Sequence, residues 1–207
     1  MNINYHKLCL EEISKLDSPK KILLHSCCGP CSSYVITFLS NYFDITILYY
    51  NPNISPKEEY EKRKQEQIRL IKNIKTKNKL DFLDCDYDNE LYNESIIGYE
   101  NYPEGGNRCH ICFNLRLEKT AKLAKENNYD YFCSTLTVSP HKNSKIINEI
   151  GYQISNQYNI KWLYSDFKKN EGFKQSIELS KKYNLYRQDY CGCIYSKQIR
   201  EKQEITN

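Results

Sequence analysis

No stretch of this 207-residue chain approaches the ~20 consecutive apolar residues that span a bilayer, which excludes a membrane helix. Its opening residues, Met1-Asn2-Ile3-Asn4-Tyr5-His6, lack the basic segment followed by an apolar one that marks a secretory signal. A cytoplasmic location is therefore expected. Charge of one sign is missing too: 30 Lys and Arg against 26 Asp and Glu leave a net +4, spread along the chain rather than blocked. That balance permits nucleic-acid binding without requiring it. A Walker loop, a dinucleotide-binding glycine motif, an HExxH zinc motif and the CxxxCxxC triple of radical enzymes are all absent. Internal repeats and linkers are absent as well, and the length suits one full-sized core. With only four histidines, imidazole is scarce. His25, two residues before Cys27, reads as packed or hydrogen-bonded rather than as a ligand. His110 lies between paired cysteines, where it could bond a sulfur or face solvent.

Cysteine, by contrast, is plentiful. Seven of the ten fall in three tight groups: Cys27-Cys28-Gly29-Pro30-Cys31, Cys109-His110-Ile111-Cys112 and Cys191-Gly192-Cys193. In the reducing cytoplasm, clustered thiols bind metal or turn over more often than they staple a fold. One tetrahedral zinc or one four-iron cluster uses four cysteines, so seven point to a metal centre plus a second thiol device. Cys28-Gly29-Pro30-Cys31 between a strand and a helix is also the thioredoxin signature, in which the helix N-terminus lowers a thiol pKa. Cys27 beside it and four further clustered thiols have no role in that fold. Two thiolates facing a metal are the better use of the Cys27-Cys28 pair, although a regular strand would point them to opposite faces. Cys191 and Cys193 can close only a small strained ring, the profile of a labile redox dithiol; two more zinc ligands is the alternative. Cys9, Cys85 and Cys133 lie in apolar or strand contexts and read as small hydrophobes. Most of the 19 tyrosines are expected to fill a core.

The hydrophobic pattern alternates strand and helix. Strands are expected over 21–25, 44–50, 80–85, 131–136 and 160–164, and helices over 32–43, 56–74, 112–127, 145–158 and 173–182. Ser55 is expected to cap the second helix with Pro56 at its first position, and 86–108 reads as a polar stretch in which Gly105-Gly106 is a loop leading into the second cysteine group. The expectation is a single α/β domain over 1–207. It comprises a mostly parallel Rossmann-like (HUP-like) sheet of about five strands with helices on both faces, an N-terminal helical extension over 1–19 and a frayed C-terminal tail over 197–207. Ligands of such folds sit beyond the carboxyl ends of the strands, where the strand order reverses. The first cysteine group directly follows strand one.

These residues resemble the cobalamin-independent epoxyqueuosine reductases, the QueH family. The matching segments are Leu23-Leu24-His25-Ser26-Cys27-Cys28-Gly29-Pro30-Cys31-Ser32, Tyr50-Asn51-Pro52-Asn53-Ile54, Cys109-His110-Ile111-Cys112-Phe113 and Thr135-Leu136-Thr137-Val138-Ser139-Pro140-His141-Lys142. The most specific is Asn184-Leu185-Tyr186-Arg187-Gln188-Asp189-Tyr190-Cys191-Gly192-Cys193-Ile194-Tyr195-Ser196, preceded by Asp166-Phe167-Lys168-Lys169. The resemblance implies an iron-sulfur enzyme that removes the epoxide oxygen of epoxyqueuosine at the tRNA wobble position, with an unidentified electron donor. It implies a [4Fe-4S] cluster on Cys27, Cys28, Cys109 and Cys112, a redox-active Cys191–Cys193 pair, and an additional iron for which Cys31 is a candidate ligand.

Arg187, Gln188 and Tyr190 are candidate substrate contacts. Tyr190, Tyr195, Asp189 and Asp166 are candidate proton donors. Arg63, Lys64, His141, Lys142, Lys145, Lys168 and Lys169 are candidates for tracking the RNA backbone. A thioredoxin-like dithiol reductase and a zinc-structured RNA-binding module are the competing readings.

Overall fold

The computed structural model describes residues 3–205, with side chains described as far as Gln203. Five strands, β1 (Lys20–His25), β2 (Phe43–Leu48), β3 (Leu80–Leu83), β4 (Tyr131–Ser134) and β5 (Lys161–Trp162), form one sheet in the order β3-β2-β1-β4-β5. Every pairing is parallel. The described helices are α1 (Tyr5–Ile13), α2 (Gly29–Leu39), α3 (Lys57–Asn73), α4 (Asn89–Ser95), α5 (Asn107–Glu126), α6 (Ser144–Tyr158), α7 (Gly172–Lys182) and α8 (Ile194–Ile205). A 3-10 turn, Thr135–Val138, continues β4.

Alternation along β1 explains the two-sided core. Ile22 and Leu24 pack with Ile45, Ile47, Val35 and Leu39 on the side of α2 and α7. Leu23 points the other way, into Leu117, Ala121, Phe132 and Ile147 of the α5–α6 side. The expected α/β architecture with helices on both faces is therefore present. The lone tryptophan, Trp162, packs its ring 4.9 Å from that of Phe132 and donates its Nε1–H to Asn148 Oδ1 at 3.0 Å. Gly151 of α6 makes this possible, since a Cβ there would stand 2.4 Å from the Trp162 ring. Gly151→Ala is expected to destabilise the fold by about 1–3 kcal/mol through overpacking, read as a lower urea midpoint followed by Trp162 fluorescence.

Several helix starts differ from the sequence-based expectation. α2 begins at Gly29 rather than at 32, because Cys28 acts as its N-cap and Pro30 fits the first turn. α5 begins at Asn107 rather than at 112, which brings both of its cysteines into the opening turns. Ser55 does not cap α3. Pro56 precedes the first helical residue, and the Ser55 N–H donates instead to Gly192 O at 2.9 Å. Within the polar stretch 86–108, to which no element was assigned, α4 forms and buries Tyr92 against Cys112 and Cys193. The tail from 197 continues helix α8, anchored by buried Ser196 and by the Lys197 N–H on Cys193 O at 3.1 Å. At the N-terminus α1 buries Cys9 and Ile13 in the core. Met1, Asn2 and residues 206–207 lie outside the described residues.

Candidate metal and thiol centre

The strand order reverses between β1 and β4, and both strands end there at the same level: His25 pairs with Ser134. His25 knits this edge together from a fully buried position. Its Nδ1 lies 2.9 Å from Ser134 Oγ, and its Nε2 lies 3.0 Å from Tyr50 O. Burial, with the Arg116 charge nearby, lowers its pKa to about 3, so the ring is neutral and spent on these two contacts. That matches its reading as a packed residue.

The chain leaves β1 through Cys27 and Cys28, and the loop releases them from strand alternation. Cys28 is extended, with φ −173° and ψ 161°, and its sulfur accepts from Cys31 N at 3.4 Å. Cys27 is held from the 3-10 turn that follows β4: its N–H donates to Thr135 Oγ1 at 3.2 Å, and its sulfur lies 3.4 Å from the same hydroxyl. The Cys27 and Cys28 sulfurs are 3.8 Å apart, and with Cys31 all three lie within 4.8 Å of one another. A metal–thiolate bond of ~2.3 Å in a tetrahedron gives a sulfur–sulfur edge of about 3.8 Å, so the trio can hold a metal ion.

The thiols of Cys28 and Cys31 and the positive Lys142 hold Cys27 well below the usual thiol range. The Cys27 contact in turn raises Cys28 to about 12, and Cys27 and Cys28 together push Cys31 well up. The trio thus loses one proton readily and resists losing more, a balance that a bound cation would invert.

Cys109 and Cys112 lie three apart on one face of α5, and Gly105 N donates to Cys109 Sγ at 3.3 Å. Burial raises Cys112 to about 12 and raises Cys109 as well. The third group sits in the loop between α7 and α8 and is clamped by its backbone. Besides the Ser55–Gly192 bond, Arg63 Nη1 donates to Cys191 O at 3.2 Å and Cys191 N donates to Ser196 Oγ at 3.1 Å. Gly192 has φ +129°, and a Cβ on it would meet Ile54 at 2.9 Å, so only glycine fits this turn.

The three groups converge. Cys109, Cys112, Cys191 and Cys193 line one cavity of about 280 Å³. Cys27, Cys31 and Cys191 line a neighbouring one of about 630 Å³. Cys191, Arg116 and Lys142 belong to the walls of both.

The other sequence candidates are sorted by the same geometry. Arg187, Gln188, Tyr190 and Asp189 line the larger cavity. Arg187 Nη1 donates to Ser180 Oγ at 3.2 Å, whereas the buried Gln188 Oε1 has no partner. Tyr190 lies over the Arg63 guanidinium at 4.8 Å and donates its hydroxyl proton to Ser55 O. Asp166 is buried against Lys168 at 2.7 Å, and Tyr195 stacks on Arg108 at 4.5 Å; neither lines either cavity. Arg63 is 1% exposed and paired with Glu59 at 2.7 Å, so it cannot track an RNA backbone. Lys64 pairs with Asp84 at 2.6 Å, and Lys145 with Glu149 at 3.8 Å. Lys142 and His141 remain at the cavity walls. His110 turns its Nε2 into a buried position without a partner rather than toward solvent.

Sequence reasoning placed Arg63 on an RNA-facing surface and overlooked Arg108 and Arg116, and all three are buried. Arg63, Arg108 and Arg116 are each no more than 2% exposed, and each keeps an unpartnered Nη2. Each is tied to a cysteine group: Arg63 and Arg116 donate to the carbonyls of Cys191 and Cys112, and Arg108 precedes Cys109. Glu59 already serves as counter-charge to Arg63, but burying Arg108 and Arg116 with unused donors is unfavourable without a compensating anion. Thiolates on a metal are such an anion, so the residues present fit a metal-thiolate group.

The family model described as "Epoxyqueuosine reductase QueH" matches residues 22–199. The epoxyqueuosine reductase QueH of Staphylococcus epidermidis is 45% identical over 201 residues, covering 94% of this chain and 84% of that protein. The protein of the same name from Streptococcus pyogenes is 43% identical over 204 residues, covering 96% and 80%. That from Thermotoga maritima is 32% identical over 183 residues, covering 88% and 92%. The match runs from β1 into α8 and takes in all three cysteine groups, and the chain belongs to the epoxyqueuosine reductase QueH family.

Proposed function

We propose that this protein reduces epoxyqueuosine to queuosine at the wobble position of tRNA anticodons, the last step of queuosine synthesis. The names of its relatives support that reading. The observation that carries it is the meeting of three sequence-remote cysteine groups beside the buried Arg116 at the strand-end crevice. No helix among the described residues is long and apolar enough to cross a membrane, and action on tRNA suits the cytoplasm.

Turning an epoxide into an alkene takes two electrons and two protons and releases the oxygen as water. Cys191 and Cys193 match that stoichiometry: as thiols they hold two electrons and two protons, both given up when they close to a disulfide. Cys191 opens to both cavities and Cys193 only to the smaller, which makes Cys191 the thiol that meets substrate. A [4Fe-4S] cluster on Cys27, Cys28, Cys109 and Cys112 would supply electrons one at a time. Cys31, within 4.8 Å of the doubled cysteines, is the candidate ligand for an additional iron. An electron donor yet to be identified restores the dithiol.

The larger cavity has the volume to take a modified nucleoside, since ligand pockets of ~300–1,000 Å³ are usual. Arg187, Gln188 and Tyr190 on its wall are the proposed substrate contacts, and the unpartnered Gln188 Oε1 is free to accept a substrate N–H or O–H. The RNA backbone runs past Lys142 and His141 rather than over 84–107, a stretch with seven acidic residues and no lysine or arginine.

Anaerobic purification with visible absorption and iron, sulfide and zinc analysis tests the reading. A brown protein with about four irons and four sulfides per chain supports it, and a fifth iron gives Cys31 its role. Stoichiometric zinc that survives cluster reconstitution, with no colour, would replace it by a zinc-structured binding module. A metal-free protein that cycles against disulfides would replace it by a thioredoxin-like reductase.

A further inference from the structure

We propose that Arg116 is the fixed counter-charge of the thiol-bound metal centre and sets how readily that centre accepts an electron; this rests on the metal-bearing reading above. Helix α5 carries Arg116 four residues after Cys112, on the face that buries Phe113, Thr120 and Ala124. Its side chain is 1% exposed, its Nε donates to Cys112 O at 3.0 Å, and its Nη2 has no partner. It lines both cavities, between the cysteine groups. Among the described residues no carboxylate pairs with it. Arg63, equally buried, shows the contrast, because Glu59 accepts from its Nε at 2.7 Å.

Arg116 shares the wall of the larger cavity with Cys27 and Cys191, and that of the smaller with Cys112 and Cys191. An unpaired buried cation is strongly unfavourable, so its counter-ion must arrive with whatever those thiols hold. Thiolate-ligated iron carries negative charge, and its reduction potential follows net charge and hydrogen bonds to sulfur. Reduction adds one more negative charge. A cation fixed at Arg116 lowers the energy of that state, and the spare Nη2–H adds a donor on the same wall.

The test compares anaerobically reconstituted wild-type protein with Arg116→Gln and Arg116→Lys by iron analysis and EPR-monitored redox titration. Arg116→Gln keeps N–H donors but loses the charge. It is expected to weaken electron affinity at least about tenfold, a fall of about 59 mV for a one-electron couple. Arg116→Lys keeps the charge and is expected to stay close to wild type. The apoproteins give a second readout with the opposite sign from a structural role. Removing an uncompensated cation should leave Arg116→Gln apoprotein melting at or above wild-type apoprotein, and its gain on metal loading should shrink.

An unmoved potential, or an apoprotein that melts lower while its gain on loading is unchanged, overturns the assignment. If Arg116→Gln takes up no iron, the apoprotein melting comparison decides by the same sign. Wild-type protein that takes up no iron overturns the underlying metal reading instead, whereas loaded wild type with an unmoved variant potential overturns only the role of Arg116.

Discussion

Cys191→Ser and Cys193→Ser are each expected to leave metal content near that of the wild type while lowering turnover by roughly 10³-fold or more, the scale of losing a residue that takes part in the chemistry. The loop should survive both changes, because its holding contacts run through backbone groups. Ser55 N binds Gly192 O, Arg63 binds Cys191 O, and Cys191 N binds Ser196 Oγ. Neither sulfur is needed for any of them.

The two variants should differ in stability. Cys191 is half-buried and a hydroxyl there stays solvated, whereas Cys193 is 6% exposed among Tyr92, Ile96 and Cys112. A serine hydroxyl in that pocket costs about 1–3 kcal/mol unless it finds a partner. Iron analysis, melting temperature and single-turnover assays on each variant separate the effects. Substantial activity in the double variant would falsify the dithiol role.

The architecture was legible because the apolar runs of β1, β2 and β4 are short, continuous and separated by helical periodicity, the mark of a parallel sheet covered on both faces. Helix starts were less legible. The caps of α2 and α5 are Cys28 and Gly106, neither among the polar side chains that usually mark a helix start. Conversely Ser55, which is such a residue, spends its N–H on the Cys191 loop. The cysteine groups were plain from spacing, but which sulfurs meet was not, since that depends on the Cys27 loop and on a contact 128 residues long, Arg63 to Cys191.

Arg116 was the real omission and Arg63 was misassigned to the surface, yet the signal for both was present in register. Tyr60, Arg63, Gln67 and Leu70 form the buried stripe of α3, and Phe113, Arg116, Leu117, Thr120 and Ala124 that of α5. An arginine at a core position of an amphipathic helix needs a counter-charge. Glu59 meets that need for Arg63, and the register of α5 calls for an anionic group beside Arg116.

Cys28→Ser should separate folding from metal binding more cleanly than any other cysteine change. Cys28 has two roles: its sulfur caps α2 by accepting from Cys31 N, and it stands 3.8 Å from the Cys27 sulfur in the candidate metal trio. Serine is among the best N-cap residues, so the variant keeps the first role. It loses the second, because a hydroxyl neither ionises near neutral pH nor suits a thiophilic metal.

The apoprotein of Cys28→Ser is therefore expected to melt within about 1 °C of the wild-type apoprotein, below the 2–4 °C that ~1 kcal/mol moves a chain of this size. Metal content and turnover should both collapse. Cys28→Ala gives the complementary result: the same loss of metal, but an apoprotein less stable by about 1 kcal/mol, the usual worth of a cap. Full metal content and turnover in Cys28→Ser would reduce Cys28 to a capping residue and leave the centre to the remaining six thiols. Equal melting of the Ser and Ala apoproteins would show instead that the sulfur never supported the helix, and that its place at the end of β1 serves the metal alone.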